Sequence, residues 1–578
     1  MKKTLSLLLF SFIISSLGYS CQQAETTSIP NSVEERIERV ENGIDAEGKK
    51  WTIEDRMEAL KTPGVSIAVI QDFKLDWAKG YGYANIENKT RVTPSTLFQA
   101  ASISKSLAGV GVLKLAQDKK VKLHEDINTY LKSWKFPYDE NSGGKIITLY
   151  NLLSHTAGTS VHGFRGYRNG TSIPTIVQIL NGEQSANNEA VRSHFPAGEK
   201  VQYSGGGTTI AQLIVMDVTA KSFSTYMDDE VLQPLGMTSS FYHQPSASQA
   251  NLATAYLADM TEVTGKYHIY PEQAAASLWT NPTDLSKYII ETQLALKGAS
   301  SKVLTQENTR LRLTPYKNDA GLGVFITSMG NAKYFQHGGA NEGFRALYVG
   351  DFEKGNGVAI MVNSENNTII RELLLTVANV YRWDGYEDSG IKLSQAQLKS
   401  FEGYYQAAFD AGKYIEIRTK DSKLMLRQHW DGEEILFDAQ SELEFLNRDI
   451  NFPLKFSKNS NGQISEVLAF NRDVWKRDDS FVPQIRKPIE LSPAQLKVFE
   501  GKFRHRADKN IEVKIVANKN HLSITQLWDG KEMIFVPETT SNFFMKDNPY
   551  RAIRFNKDSA GEFTELIAFG REHLDKVK

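Results

Sequence analysis

Hydrophobic and polar positions change their pattern several times along the chain. Leu5 to Leu17 form an apolar run broken by serines, and residues 22–58 are mostly polar with a charged helical stretch, Val33-Glu-Glu-Arg-Ile-Glu-Arg-Val40. A strand-like run, Pro63-Gly-Val-Ser-Ile-Ala-Val-Ile70, opens a long region in which helical and strand patterns alternate until about Trp383. The polar stretch Asp384-Gly-Tyr-Glu-Asp-Ser-Gly390 reads as a linker. Beyond it the pattern becomes short alternating strands, such as Tyr414–Arg418, Lys423–Arg427 and Glu434–Phe437.

This last region is a duplication. Leu393-Ser-Gln-Ala-Gln-Leu-Lys-Ser-Phe-Glu-Gly403 recurs as Leu491-Ser-Pro-Ala-Gln-Leu-Lys-Val-Phe-Glu-Gly501, and Trp430-Asp-Gly432 as Trp528-Asp-Gly530, at an offset of 98. Leu468-Ala-Phe470 matches Ile567-Ala-Phe569 at an offset of 99, so one residue was inserted. About eight short strands per copy predict a small antiparallel meander barrel in each repeat. Two roles stay open for them: holding a ligand or capping an active site, or serving as a structural or partner-facing appendage, since so small an interior is filled by side chains.

The 67 Lys+Arg against 68 Asp+Glu give no long-range field for nucleic acid. Hydrophobic residues at 41 % and charged residues at 23 % exclude a disordered, collagen-like or polytopic membrane chain. A single cysteine, Cys21, excludes an intrachain disulfide framework and a Cys-rich zinc site. Met1-Lys-Lys followed by the apolar run has the shape of a secretory signal. Cys21 stands where bacterial lipoproteins carry their lipid, although Leu17 precedes it by four residues rather than three. A cleaved secretory signal and an uncleaved anchor are the alternatives. Each places the chain from residue 22 onward outside the cytoplasm, in the cell envelope or periplasm, touching a membrane only through an anchor at Cys21.

Candidate chemistry lies in the front region. Ser102-Ile-Ser-Lys105 precedes Leu107–Ala116, apolar except for Lys114, which reads as a mostly buried helix. Residues three apart share a helix face, so Lys105 can reach the Ser102 hydroxyl. A serine at a helix start has backbone N–H groups available for an oxyanion. A lysine among apolar residues loses its proton more readily. A capping serine beside a snorkelling lysine gives the same pattern, and Ser142-Gly-Gly-Lys145 repeats the spacing in a polar loop. Tyr203 precedes Ser204-Gly205-Gly206-Gly207 and an apolar helical run, and His337-Gly338-Gly339-Ala340 follows a strand pattern. Taken singly, Tyr203 fits a packed core position and His337 a turn.

In this order the three motifs resemble the serine hydrolases of the class C β-lactamase and penicillin-binding protein family. Asn151-Leu-Leu-Ser-His155-Thr-Ala-Gly158, Pro234-Leu-Gly-Met237 and Leu278-Trp-Thr-Asn-Pro-Thr-Asp284 agree with it. The resemblance implies an α+β fold, a β-lactamase/transpeptidase-like antiparallel sheet flanked by helices, ahead of two lipocalin-like all-β meander barrels. The expected organisation is a signal over 1–21, a linker and helix over 22–58, the hydrolase domain over 59–385, and barrels over 393–480 and 491–578. By the same resemblance Ser102 is the acylated nucleophile, Lys105 its activating partner, Tyr203 the general base and His337 an electrostatic assistant. The backbone N–H groups of Ser102 and Ala340 would form the oxyanion hole, with Gly338, Gly339 and Gly205 lining the substrate. His155 fits the family's structural loop. No metal or cofactor is implied. Gly205 stands where the family usually has Asn, and His337 where true class C β-lactamases have Lys, which moves the expected substrates toward D-amino-acid peptides and small esters or amides. A β-lactamase, or a non-catalytic penicillin-binding-like sensor, are the alternatives.

Overall fold

The run Pro63–Ile70 forms the strand Gly64–Gln71, in which every residue but the last is buried. It reads as continuously apolar because both faces of its sheet are covered: Val65, Ile67 and Val69 join one apolar cluster and Ile70 the other. In this computed structural model the described residues are 29–577, apart from 47–48, 247–248, 330, 387–390, 392, 421, 448–451, 471–472, 484–485, 507–510, 528–529 and 570–571. Cys21 and the apolar run before it lie outside the described residues. No helix among the described residues is long and apolar enough to cross a membrane.

The sheet has seven antiparallel strands, in the order Phe325–Met329, Ala332–Asn341, Phe344–Asp351, Gly357–Val362, Gly64–Gln71, Lys74–Asn85 and Thr90–Arg91. Val362 pairs with Val65 and Gly357 with Ile70, so the start and end of this unit meet at the centre of the sheet. The inner face carries the helices Ser104–Gln117, Gly205–Thr219 and Pro282–Leu296, whose apolar side chains belong to one large cluster.

The outer face is covered by Thr368–Val380 together with the polar lead-in, which is more structured than a linker. Residues 33–59 hold the helices Val33–Glu41 and Ile53–Ala59, capped by Ser32 and Thr52, and bury Val40, Ile44, Ile53 and Met57 in the outer cluster. Two buried ion pairs fasten them. Arg36 donates from Nη2 and Nε to the Asp76 carboxylate at 2.7 and 2.8 Å, and Arg56 reaches Glu372 by the same two-pronged geometry at 2.7 and 2.8 Å. The charged pattern of this segment therefore hides an inward face: Arg36 and Arg56 point at carboxylates of the sheet and the covering helix, while Arg39 pairs with Glu35 near the surface.

Each repeat closes into an eight-stranded antiparallel barrel, running from Gly403–Ala407 to Asp473–Arg477 and from Gly501–His505 to Glu572–Lys576. Closure is by first-to-last pairing, Tyr405 with Arg477 and Phe503 with Lys576. Each barrel begins with a one-turn helix, Gln395–Lys399 or Pro493–Lys497. Capping boxes of Ser394 with Gln397 and Ser492 with Gln495 hold them, and they insert Leu398 and Leu496 into the cores. Phe437, Phe445 and Phe456 fill the first interior, and Phe535, Phe543 and Phe555 the second.

Candidate active site

Ser102 sits in a 3₁₀ turn, Ala101–Ile103, immediately ahead of the helix Ser104–Gln117, rather than as the helix's own first residue. Ala101 adopts φ +50, a left-handed conformation unfavourable for a residue with a Cβ. The turn is held there by several bonds: Ser104 Oγ donates to Ala101 O at 2.5 Å, Leu278 N–H to Ser104 Oγ at 2.9 Å, and Ala100 N–H to Leu278 O at 2.8 Å. The result is a half-buried hydroxyl at the floor of a cleft.

Lys105 follows in the first helical turn and is 3 % exposed. Its Nζ donates to Ser102 Oγ at 3.1 Å and to the carbonyl of Ala275 at 2.7 Å, and lies 5.0 Å from the centre of the Tyr203 ring. The helical spacing therefore brings lysine and serine together as expected. The Ala275 carbonyl, on the one-turn helix Gln273–Ala276, gives no signal in sequence.

Tyr203 is placed by the next residue. Ser204 caps the helix Gly205–Thr219 by accepting from Gly207 N–H at 2.9 Å, and its own N–H donates to His155 Nδ1 at 3.3 Å. The His155 ring packs on Tyr203 with centroids 4.4 Å apart, His162 lies at 5.0 Å, and His337 and Phe325 at 6.2 Å. His155 is buried, so desolvation and the nearby Lys105 cation hold its pKa well below the ordinary imidazole value. Since Nδ1 accepts, the neutral ring carries its proton on Nε2. Sequence reasoning gave His155 only a loop role, yet it is the group that seats Tyr203.

His337 lies in the strand Ala332–Asn341, 3 % exposed. Burial, reinforced by Lys105, pushes its pKa down to about 3. The ring stands 2.6 Å from the Gly338 carbonyl through Nδ1, which must be the donor. Nε2 is then a buried lone pair, without a partner among the described residues. His337 therefore supplies a neutral ring, since among the described residues no counter-ion offsets its burial.

The strand Phe325–Met329 pairs only with residues 332–336, so 337–341 have no strand neighbour on that side. The Ser102 turn occupies the space: a Cβ on Gly339 would lie 2.2 Å from the Ala100 carbonyl oxygen. Gly339 is thus required for the strand to approach the nucleophile, and Gly338 and Ala340 are exposed on the cleft side. The cleft is a cavity of about 910 Å³ reaching from Ser102, Tyr203 and Gly338 past Arg345 to Leu374 and Tyr386.

Gly205 lies elsewhere. It is buried beneath Phe164, whose ring would be 3.0 Å from an added Cβ, and its N–H is taken by His162 O at 3.0 Å. It offers a substrate neither side chain nor free N–H. Ser142 of the second Ser-x-x-Lys spacing bonds Ser193 at 2.9 Å inside a capping box, and Lys145 is exposed, so that pattern is a loop. Among the described residues no cluster of His, Cys, Asp and Glu could hold a metal ion. Glu272, fully buried ahead of the Ala275 helix, has a carboxyl that burial pushes up to about 8; a lone acid in a Tyr-Pro-Glu loop carries no sequence signal.

A family model described as Beta-lactamase matches residues 51–378. Protein flp of Staphylococcus aureus (strain N315) is 25 % identical over 323 residues, covering 54 % of this chain and 61 % of flp. The teichoic acid D-alanine hydrolase of Staphylococcus aureus is 23 % identical over 260 residues, covering 45 % of this chain and 60 % of that protein. The chain thus spans about three-fifths of the length of the curated relatives it matches. Among solved structures, an octameric penicillin-binding protein homologue from Pyrococcus abyssi aligns with 91 % of this chain and 98 % of its own, at 18 % identity and TM-score 0.49. A D-amino acid amidase from Ochrobactrum anthropi SV3 aligns with 61 % and 98 %, at 19 % and 0.48.

Proposed function

The chain belongs to the Beta-lactamase family of serine hydrolases, and from that premise we propose that it is an exported acyl-transfer enzyme working through a Ser102 acyl-enzyme on D-amino-acid esters, amides or short peptides. The observation that carries this reading is the 3.1 Å contact between Lys105 Nζ and Ser102 Oγ, with the same nitrogen tied to Ala275 O. Two groups on one rigid helix start are held in reach of each other before any substrate arrives.

In acylation Ser102 Oγ bonds to the substrate carbonyl carbon. Its proton passes to Tyr203 acting in its phenolate form beside the Lys105 cation, and Tyr203 returns it to the departing alcohol or amine. The tetrahedral oxyanion is met by the backbone N–H groups of Ser102 and Ala340. Deacylation reverses the path with water as nucleophile: Tyr203 takes the water's proton and restores it to Ser102 Oγ as the acid leaves. His155 keeps the Tyr203 ring seated, and His337 places an uncharged ring 6.2 Å from it.

The resemblance to a teichoic acid D-alanine hydrolase favours D-alanyl and similar D-acyl groups. A β-lactam ranks lower, because the position of the family's asparagine is a glycine packed under Phe164. Export with a lipid anchor at Cys21 belongs to the same proposal and places the enzyme in the cell envelope.

The test is intact mass after exposure to a fluorophosphonate, followed by turnover of D-alanyl esters, D-amino-acid amides and β-lactams. One adduct per chain, absent from Ser102→Ala and strongly slowed in Lys105→Ala and Tyr203→Phe, is expected. Full labelling of Lys105→Ala would overturn the mechanism, and a folded parent that takes no label would overturn the enzyme.

A further inference from the structure

The first barrel carries a second candidate site at its mouth, remote in kind from the chemistry at Ser102. Its interior is filled, but one end holds a cavity of about 180 Å³ lined by Phe409, Lys413, Trp430, Phe470, Asp473 and Trp475. Three of these rings are left in water: Phe409 is 57 % exposed, Trp430 38 % and Phe470 41 %. Large apolar rings gathered at one exposed spot mark a contact surface.

The rings are ordered. The indoles of Trp430 and Trp475 lie 6.0 Å apart and within 18° of parallel, and Phe409 meets Trp475 edge-on at 5.5 Å. Phe470 stacks on Phe452 at 3.7 Å. Phe470 is held there at φ +52, a conformation that disfavours a bulky residue, and its counterpart Phe569 in the second barrel adopts φ +55 at 39 % exposure. Both copies thus retain a strained backbone that turns a phenyl ring outward. The second copy has Leu574 where the first has Trp475, so the paired indoles belong to the first barrel.

Polar groups accompany the rings. Trp475 is 6 % exposed, and its buried indole N–H has no partner among the described residues. Lys413 Nζ sits 5.8 and 5.9 Å from the Phe409 and Trp430 ring centres, and Gln428 and Asp473 line the same mouth.

We propose that this mouth binds carbohydrate, seating one sugar ring of a glycan chain whose neighbours run over the exposed rings. A pyranose offers a flat C–H face that packs on the electron-rich face of an aromatic ring, and an edge of hydroxyls that need both donors and acceptors. The site presents both kinds of surface. A purely apolar ligand would cover the Lys413 ammonium and the Gln428 amide without offering either a hydrogen bond. The cavity is smaller than the roughly 300 Å³ at which drug-sized pockets begin, which suits a single ring with the remainder outside.

The test uses the full chain and three soluble probes, chitotetraose, cellotetraose and maltotetraose, followed by tryptophan fluorescence and calorimetry. Saturable binding of at least one is expected, weakened tenfold or more by Trp430→Ala and by Phe470→Ala, and unchanged in Ser102→Ala. Trp430→Ala keeps the parent's fluorophosphonate labelling. Absence of a saturable response to all three probes overturns the site, as does binding that survives both ring substitutions. If either substitution lowers the unfolding midpoint of the barrel, the exposed rim change Lys413→Met decides, with undiminished binding counting against the proposal.

Discussion

Gly339→Ala is the smallest perturbation that separates the oxyanion strand from the nucleophile. The added methyl would lie 2.2 Å from the Ala100 carbonyl oxygen, more than an ångström inside ordinary contact. Both obstructing groups are backbone. Ala100 N–H is bonded to Leu278 O, and the strand is bonded along its other edge from Tyr334 to Asn341, so neither side yields by a rotamer change. The two must part by about 1 Å, a displacement that costs roughly 100-fold in rate when it falls between reacting groups. Overpacking of this kind destabilises by about 1–3 kcal/mol, which leaves the protein folded. The assay is the second-order rate of fluorophosphonate acylation at Ser102, read beside the thermal midpoint. Gly338→Ala provides the comparison: its methyl meets nothing nearer than Ala346 O at 3.8 Å, so its loss should be at least tenfold smaller. Acylation of Gly339→Ala at the parental rate, with the fold intact, would refute the claim that the strand and the Ser102 turn are in forced contact.

Acid should destabilise the protein through its buried histidines. An unfolded imidazole titrates near 6.5, whereas His337 is pushed down to about 3 and His155 well below its ordinary value. Between these limits the unfolded chain binds more protons, so stability is complete above about pH 6.5 and falls as pH drops. His337 alone accounts for about 3 kcal/mol by pH 4, and urea midpoints of His337→Asn should show a flatter decline than the parent. Gly205→Asn should lower the unfolding midpoint without creating β-lactam turnover, since Phe164 occupies the side chain's space; appreciable nitrocefin hydrolysis by that variant would contradict the packing argument. Arg56→Ala leaves the Glu372 carboxylate buried without its partner. It should cost about 3–5 kcal/mol in denaturant unfolding, a loss that Arg56→Ala with Glu372→Gln partly recovers.

Much of this was readable from residues, for reasons that can be named. Leu107–Ala116 is apolar except for Lys114 and reads as a mostly buried helix, which put Lys105 beside Ser102. The repeat offsets of 98 and 99 disclosed two equivalent units, and alternation within them disclosed strands. What escaped depends on contacts between distant segments. Ala275 supplies a backbone carbonyl to Lys105, and a carbonyl has no side-chain signature. His155 was passed over because its value lies in a ring packed on Tyr203, 48 residues later. Residues 33–59 looked like a polar lead-in because Arg36 and Arg56 are paired inward, with Asp76 and Glu372, rather than turned to solvent. Gly205 matched a motif position, yet Phe164, from a loop with no pattern of its own, fills the space beside it.

The pairing of Val65 with Val362 also sets a clock on synthesis. The two strands are nearly 300 residues apart in the chain, and ribosomes add about 5–20 residues per second. The hairpin of Gly64–Gln71 and Lys74–Asn85 therefore waits on the order of tens of seconds for its central neighbour, with one edge open and one of the most apolar strands of the molecule bare. A nascent chain in that interval is a ready target for holding chaperones and for edge-to-edge aggregation.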